Sequence, residues 1–123
     1  MVAEPAGAVL VVEDEDSVRK LAVLVLSKHG FTVAEAATAE EALEHAAPVA
    51  LLLTDVQLPG LDGLALAERL RQRHPGLKVV VMTGCCEDID RRDTPSAADW
   101  AFLSKPFSVA TLVQTVGRML GTN

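Results

Sequence analysis

Three short apolar runs end in polar residues, and this shared ending limits what the chain can fold into. Residues 9–12 (Val-Leu-Val-Val) lead into Glu13-Asp14-Glu15-Asp16, residues 49–54 lead into Asp55, and residues 79–82 (Val-Val-Val-Met) lead into Thr83-Gly84. The runs are continuous, as expected of strands covered on both faces. Segments with helical spacing lie between them, and such alternation predicts a parallel sheet with right-handed crossovers. In that arrangement Glu13, Asp14, Asp55 and Thr83 meet at the carboxyl edge of the sheet, where open α/β sheets bind ligands. Clustered carboxylates repel one another and hold a hard divalent cation well. The pattern points to a Mg²⁺ site beside one reactive aspartate.

The intervening segments fill in the order. A helix is predicted over residues 17–29, with Val18, Leu21, Ala22, Val25 and Leu26 on its inward face and Gly30 as its stop. A short strand follows over 31–35. Thr38 with Glu41 is a capping-box signature for a helix to about Ala47, which Pro48 ends. Residues 49–54 form the third strand. After the Pro59-Gly60 turn, Asp62 caps a helix to Arg73 whose apolar side is Leu64, Leu66, Ala67 and Leu70. Gly60 and Gly63 read as turn residues with unusual backbone angles. Pro75-Gly76 precedes a fourth strand over 77–82. The segment 87–98 is polar, has Ile89 as its one large apolar residue and contains Pro95. It is expected to be a broken helix and the least ordered part of the chain. A fifth strand spans 100–103, and Ser108 caps a last helix to Leu120 with Leu112, Val113, Val116 and Leu120 inward. Residues 1–7 read as a tail or linker remnant before one domain over 8–121.

The 123 residues suit one domain, and half of them are apolar. The net charge of -6 argues against nucleic acid as a partner, since a nucleic-acid surface needs a basic stripe. No apolar stretch approaches the roughly 20 residues of a membrane span, and the N-terminus lacks a secretory start, so no membrane contact and a cytoplasmic location are expected. The two cysteines, Cys85 and Cys86, are adjacent, too few for a disulfide framework or zinc cluster, and read as free thiols.

Four motifs occur in order at strand ends: Val-Val-Glu13-Asp14-Glu, Leu-Thr-Asp55-Val-Gln-Leu-Pro-Gly-Leu-Asp-Gly63, Met-Thr83-Gly84 and Leu-Ser-Lys105-Pro106-Phe107. Together they resemble the receiver domain of two-component response regulators over residues 8–120. The resemblance implies a flavodoxin-like five-stranded sheet in the order 2-1-3-4-5. It makes Asp55 the phosphoacceptor, a nucleophile that takes a phosphoryl group from the phosphohistidine of a histidine kinase or phosphotransfer protein. Glu13 and Asp14 match the acidic pair that holds Mg²⁺, with Asp55 and the backbone carbonyl of Gln57 as further ligands, while Glu15 and Asp16 remain solvated charges. Lys105 matches the lysine that pairs with phosphoryl oxygens, and Pro106 the cis proline that aims it. Thr83 and Phe102 match the switch hydroxyl and switch aromatic; a plain core role for Phe102 stays open. Gly84 matches the small residue that leaves room for the phosphoryl group. Gln57 and Cys85 match positions that flank the attacking water and tune the phosphate's lifetime.

The resemblance describes a signalling switch in a phosphorelay, and not an enzyme with turnover in the usual sense. A competing class is the Mg²⁺-dependent aspartate-nucleophile phosphatases and dehalogenase-like hydrolases. These carry a second aspartate two residues after the nucleophile, where this chain has Gln57. A degenerate receiver that only binds is disfavoured because the site positions are filled. The polar segment 87–98 departs from the family's fourth helix and puts family-style dimerisation in doubt. The cognate kinase and downstream partner are not specified, and the chain reads as either a stand-alone regulator or the receiver of a hybrid histidine kinase.

Overall fold

The computed structural model describes residues 8–45, 48–84 and 99–121. In chain order the elements are β1 (Ala8–Val12), α1 (Asp16–Lys28), β2 (Val33–Ala36), α2 (Ala39–Glu44), β3 (Val49–Asp55), α3 (Gly63–Arg73), β4 (Lys78–Thr83), β5 (Trp100–Ser104) and α4 (Val109–Leu120). The strands form one parallel sheet in the order β2-β1-β3-β4-β5, as expected. The expectation for residues 87–98 lies outside the described residues.

Because side chains alternate across a strand, each apolar run supplies two cores at once. Leu10, Val12, Leu52, Val79 and Val81 face α2 and α3, packing on Ala39, Ala42, Leu66 and Leu70. Val9, Val11, Leu51, Leu53, Val80 and Met82 face α1 and α4, packing on Ala22, Leu26, Leu112 and Val116. Register carries the three polar ends to one edge: Val12 lies beside Thr54, Asp55 beside Met82, and Thr83 beside Ser104.

The predicted caps form by local chemistry. Thr38 accepts from the Glu41 amide, Asp62 from the Ala65 amide, and Ser108 from the Thr111 amide. Each satisfies an N–H that the first helical turn leaves without a partner.

Three local expectations are corrected. Leu21 is 46% exposed, and the buried stripe of α1 runs through Arg19, Ala22, Val25 and Leu26. Leu21 sits about 100° around the helix from Ala22, outside the stripe that the sheet covers. β2 begins at Val33 because the amides of Gly30 and Phe31 close α1, donating to Ser27 and Leu26 carbonyls. α2 stops at Glu44, short of Ala47, where His45 turns to extended backbone.

Candidate functional site: an acidic pocket at the carboxyl edge of the sheet

Glu13 follows β1 and turns inward, with 1% of its surface exposed, while Asp14 faces solvent. Asp55 ends β3 and is 7% exposed. Carboxylate oxygens of these three residues lie within 4.8 Å of one another. Lys105 enters from the far side of the sheet. Its amide donates to the Thr83 carbonyl at 2.7 Å, which anchors the residue after β5 to the end of β4. Its ammonium then reaches over the edge and donates to Glu13 Oε1 at 2.5 Å and Asp55 Oδ2 at 2.7 Å. The Lys105–Pro106 peptide is cis.

The other Asp55 oxygen, Oδ1, accepts from the Gln57 amide at 3.2 Å, so the carboxylate is held from both sides. Thr54 is buried and its hydroxyl donates to the Asp55 carbonyl at 3.0 Å. Gly63 donates its amide to the Val56 carbonyl at 2.9 Å. A Cβ on Gly63 would lie 2.0 Å from the Asp55 carbonyl oxygen. The expectation of an unusual backbone angle holds for Gly60, with φ of 80°, and not for Gly63, which has no positive φ. Gly63 is needed for close approach: it lets the first turn of α3 press against the backbone of Asp55.

Burial pushes the Glu13 carboxyl above its ordinary value. The hydrogen bonds from Lys105 and the Glu15 amide pull it back only in part, and the neighbouring acids Asp14 and Asp55 push the same way as burial. Burial alone would lower Lys105, but its hydrogen bonds to Asp55 and Glu13 outweigh that and raise it. Lys105 is therefore a firm cation. Three carboxylates facing one ammonium leave the pocket with excess negative charge. With hard oxygen donors and one water-facing acid, the residues fit a small divalent cation that keeps several waters.

Thr83 and Gly84 lie half-buried at the end of β4 beside this cluster. Phe102 is half-buried in β5, opposite Val81 and one side-chain step before the Thr83–Ser104 pair, and it packs against the α2/α3 core. Cys85 lies outside the described residues. Arg19 was not anticipated. It is 8% exposed and donates through Nη1 to the Glu13 carbonyl at 2.9 Å. Its spacing of three and seven residues from Ala22 and Leu26 is the signal in the sequence that places it on the inward face.

The sequence profile of the response regulator receiver domain matches residues 9–117. The chain belongs to this family. Among relatives of the receiver, the sensor kinase CckA of Brucella abortus is 42% identical over 94% of this chain and 13% of its own length. The response regulator receiver protein CpdR of the same organism is 36% identical over 91% of this chain and 95% of its own length. A crystal structure of the receiver domain of the hybrid histidine kinase CckA superposes with a TM-score of 0.76 at 36% identity, covering 93% of this chain and 99% of that one. The receiver thus spans a small part of one relative and nearly all of the other. Receivers are signalling domains that take phosphoryl groups from histidine kinases or phosphotransfer proteins and bind Mg²⁺ in an acidic pocket. No helix among the described residues is long and apolar enough to cross a membrane.

Proposed function

We propose that Asp55 is the phosphoacceptor of this receiver and that Glu13, Asp14, Asp55 and the Gln57 carbonyl hold Mg²⁺ beside it. The observation that carries the reading is the double contact of Lys105 with Glu13 and Asp55 at the edge where β1, β3 and β4 end. An Asp55 oxygen attacks the phosphorus of a donor phosphohistidine. A P–O bond forms, the P–N bond breaks, and the imidazole leaves with the electron pair. The product is an acyl phosphate. Bound Mg²⁺ supplies neutralisation of the charge on the phosphoryl group in transit.

The chain's own residues do the positioning. The Gln57 amide and Lys105 each hold one oxygen of the Asp55 carboxylate and so orient it for attack. Lys105 carries a charge suited to pair with phosphoryl oxygens as they arrive, and Gly84 adds no side chain that would block them. The Thr83 hydroxyl takes a further phosphoryl oxygen and couples it to Phe102 as the switch. Gln57 and Cys85 tune the phosphate's lifetime. The donor is a cytoplasmic histidine kinase or phosphotransfer protein. Residues 8–121 form the receiver unit and 1–7 its tail or linker remnant, in a stand-alone regulator or a hybrid kinase.

Incubation with Mg²⁺ and acetyl phosphate should add one acid-stable, base-labile phosphoryl group by intact mass. Asp55→Asn should take up none. Equal uptake by the variant would remove Asp55 from this role.

A further inference from the structure

We propose that Arg19 is a positioning residue for the acidic pocket: it pins the peptide that joins Glu13 to Asp14 and thereby sets the pocket's affinity for its cation. The inference rests on the Mg²⁺ reading given above and assigns a determinant outside the ligand set.

An arginine on the inward stripe of a helix needs a partner for each of its nitrogens, because buried donors left unpaired are costly. Here all three are used. Nε donates to Glu35 Oε1 at 2.9 Å, Nη2 to Asp16 Oδ1 at 2.5 Å, and Nη1 to the Glu13 carbonyl at 2.9 Å. These three bonds are not equivalent. Asp16 and Glu35 have side chains 75% and 42% exposed, so water can replace the arginine at either. The bond to the Glu13 carbonyl is buried. That oxygen belongs to the peptide between the two acids. Its plane contains the Cα atoms of both residues, from which the Glu13 side chain runs inward and that of Asp14 to solvent. A planar, charged donor fixed by two carboxylates holds that peptide in one orientation. Both carboxylates then approach Asp55 from fixed positions, and the cation meets donors that need little rearrangement. The hydrogen bonds of Arg19 to Glu35 and Asp16 raise its pKa, so the charge is permanent.

A merely structural arginine would tie α1 to β2 through Glu35 and leave the pocket indifferent. Isothermal titration with Mg²⁺ alone separates the two roles, using wild type, Arg19→Lys, Arg19→Met and Glu35→Gln, with melting temperatures taken in chelator. Residues that hold ligands in place typically account for about 10–100-fold of metal affinity, so both Arg19 variants should weaken Mg²⁺ by about 10-fold or more. Glu35→Gln loosens the same tie to β2 but leaves the Glu13 carbonyl bond, and should stay within about twofold of wild type. Should Arg19→Met fail to fold, Arg19→Lys decides alone, since lysine keeps the charge and loses the fork. Wild-type affinity in the Arg19 variants overturns the proposal, as does an equal loss in Glu35→Gln. Absence of Mg²⁺ binding by wild type would instead overturn the metal reading itself, and this inference with it.

Discussion

Replacing Gly63 by alanine should damage both stability and phosphorylation, and the structure sets the size of each effect. The new Cβ would sit 2.0 Å from the Asp55 carbonyl oxygen, 3.0 Å from the Asp55 carbonyl carbon and 3.1 Å from Thr54 Oγ1. Two of these atoms are backbone of a central strand, so no side chain can swing away. An ordinary contact near about 3.5 Å requires α3 and β3 to part by more than about 1 Å. Overpacking of this kind costs about 1–3 kcal/mol. Straining the Gly63–Val56 backbone hydrogen bond, 2.9 Å long, adds about 1 kcal/mol. At about 4 °C per kcal/mol for a domain of this size, the melting temperature should fall by about 8–16 °C. The displaced peptide belongs to the nucleophile itself, and a misplacement of about 1 Å can cost about 100-fold in rate. Gly60→Ala is the control. Gly60 has φ of 80°, and its Cβ would meet only the tip of the Glu40 side chain at 3.0 Å. It should lose about 1–2 kcal/mol from backbone strain while phosphorylating normally. The assays are thermal melting and intact-mass kinetics with acetyl phosphate at saturating Mg²⁺. A Gly63→Ala protein that melts and phosphorylates like wild type refutes the packing argument. Equal rate losses in both variants would refute the claim that Gly63 acts on Asp55.

Two further outcomes follow from the charges. Lys105→Met leaves Glu13 buried without its cation, and should cost about 3–5 kcal/mol at neutral pH. Glu13 already titrates above its ordinary value and would rise further, so its folded state holds the proton more tightly than the unfolded chain does. The variant's deficit relative to wild type should therefore shrink as pH falls through that raised value, and a pH-independent deficit in thermal melts would contradict the pairing. Asp99 ion-pairs with Lys78 at 2.8 Å and Arg71 at 3.2 Å, and its pKa is lowered, first by the Lys78 hydrogen bond. Its contribution is present above the ordinary value of 3.8 and is lost as pH falls through the depressed one. Asp99→Asn should flatten the acid limb of the melting profile, and an unchanged limb would remove Asp99 from acid stability.

The parts of the molecule readable from the sequence are those decided by nearest neighbours or by topology. Caps at Thr38, Asp62 and Ser108 depend on residues three positions apart, and they form where the local pattern says. The meeting of Glu13, Asp14 and Asp55 follows from parallel strands sharing one carboxyl edge, once the strands are recognised. What was missed depends on which neighbour covers a side chain. Leu21 lies outside the buried stripe and Arg19, for which no role was expected, lies within it, because an apolar count over α1 cannot say where the sheet lies around it. Glu13 and Asp14 read alike as acids, yet Glu13, directly after β1, is buried and Asp14, in the bend that follows, is exposed.

These misses share a physical cause that bears on how the site works. The side chains of the pocket are oriented by backbone groups at strand ends. The Gln57 amide bonds Asp55, the Glu15 amide bonds Glu13, and the Thr83 carbonyl holds the Lys105 amide. The backbone carbonyls of Glu13 and Asp55 are in turn braced by residues outside the proposed ligand set. Arg19 holds the Glu13 carbonyl, Thr54 the Asp55 carbonyl, and Gly63 fits against that same carbonyl. A motif search finds the ligands because their chemistry is written in carboxylates and an ammonium. Thr54 and Gly63 lie inside the Asp55 motif and Arg19 outside all four motifs, but the requirement at each is one of size or hydrogen-bond geometry at a single backbone atom, which residue type alone does not state. Substituting a ligand removes chemistry and geometry together. Substituting a brace leaves every reacting group in place, so a loss at Arg19 or Gly63 would measure how much of this receiver's reactivity comes from preorganised strand ends.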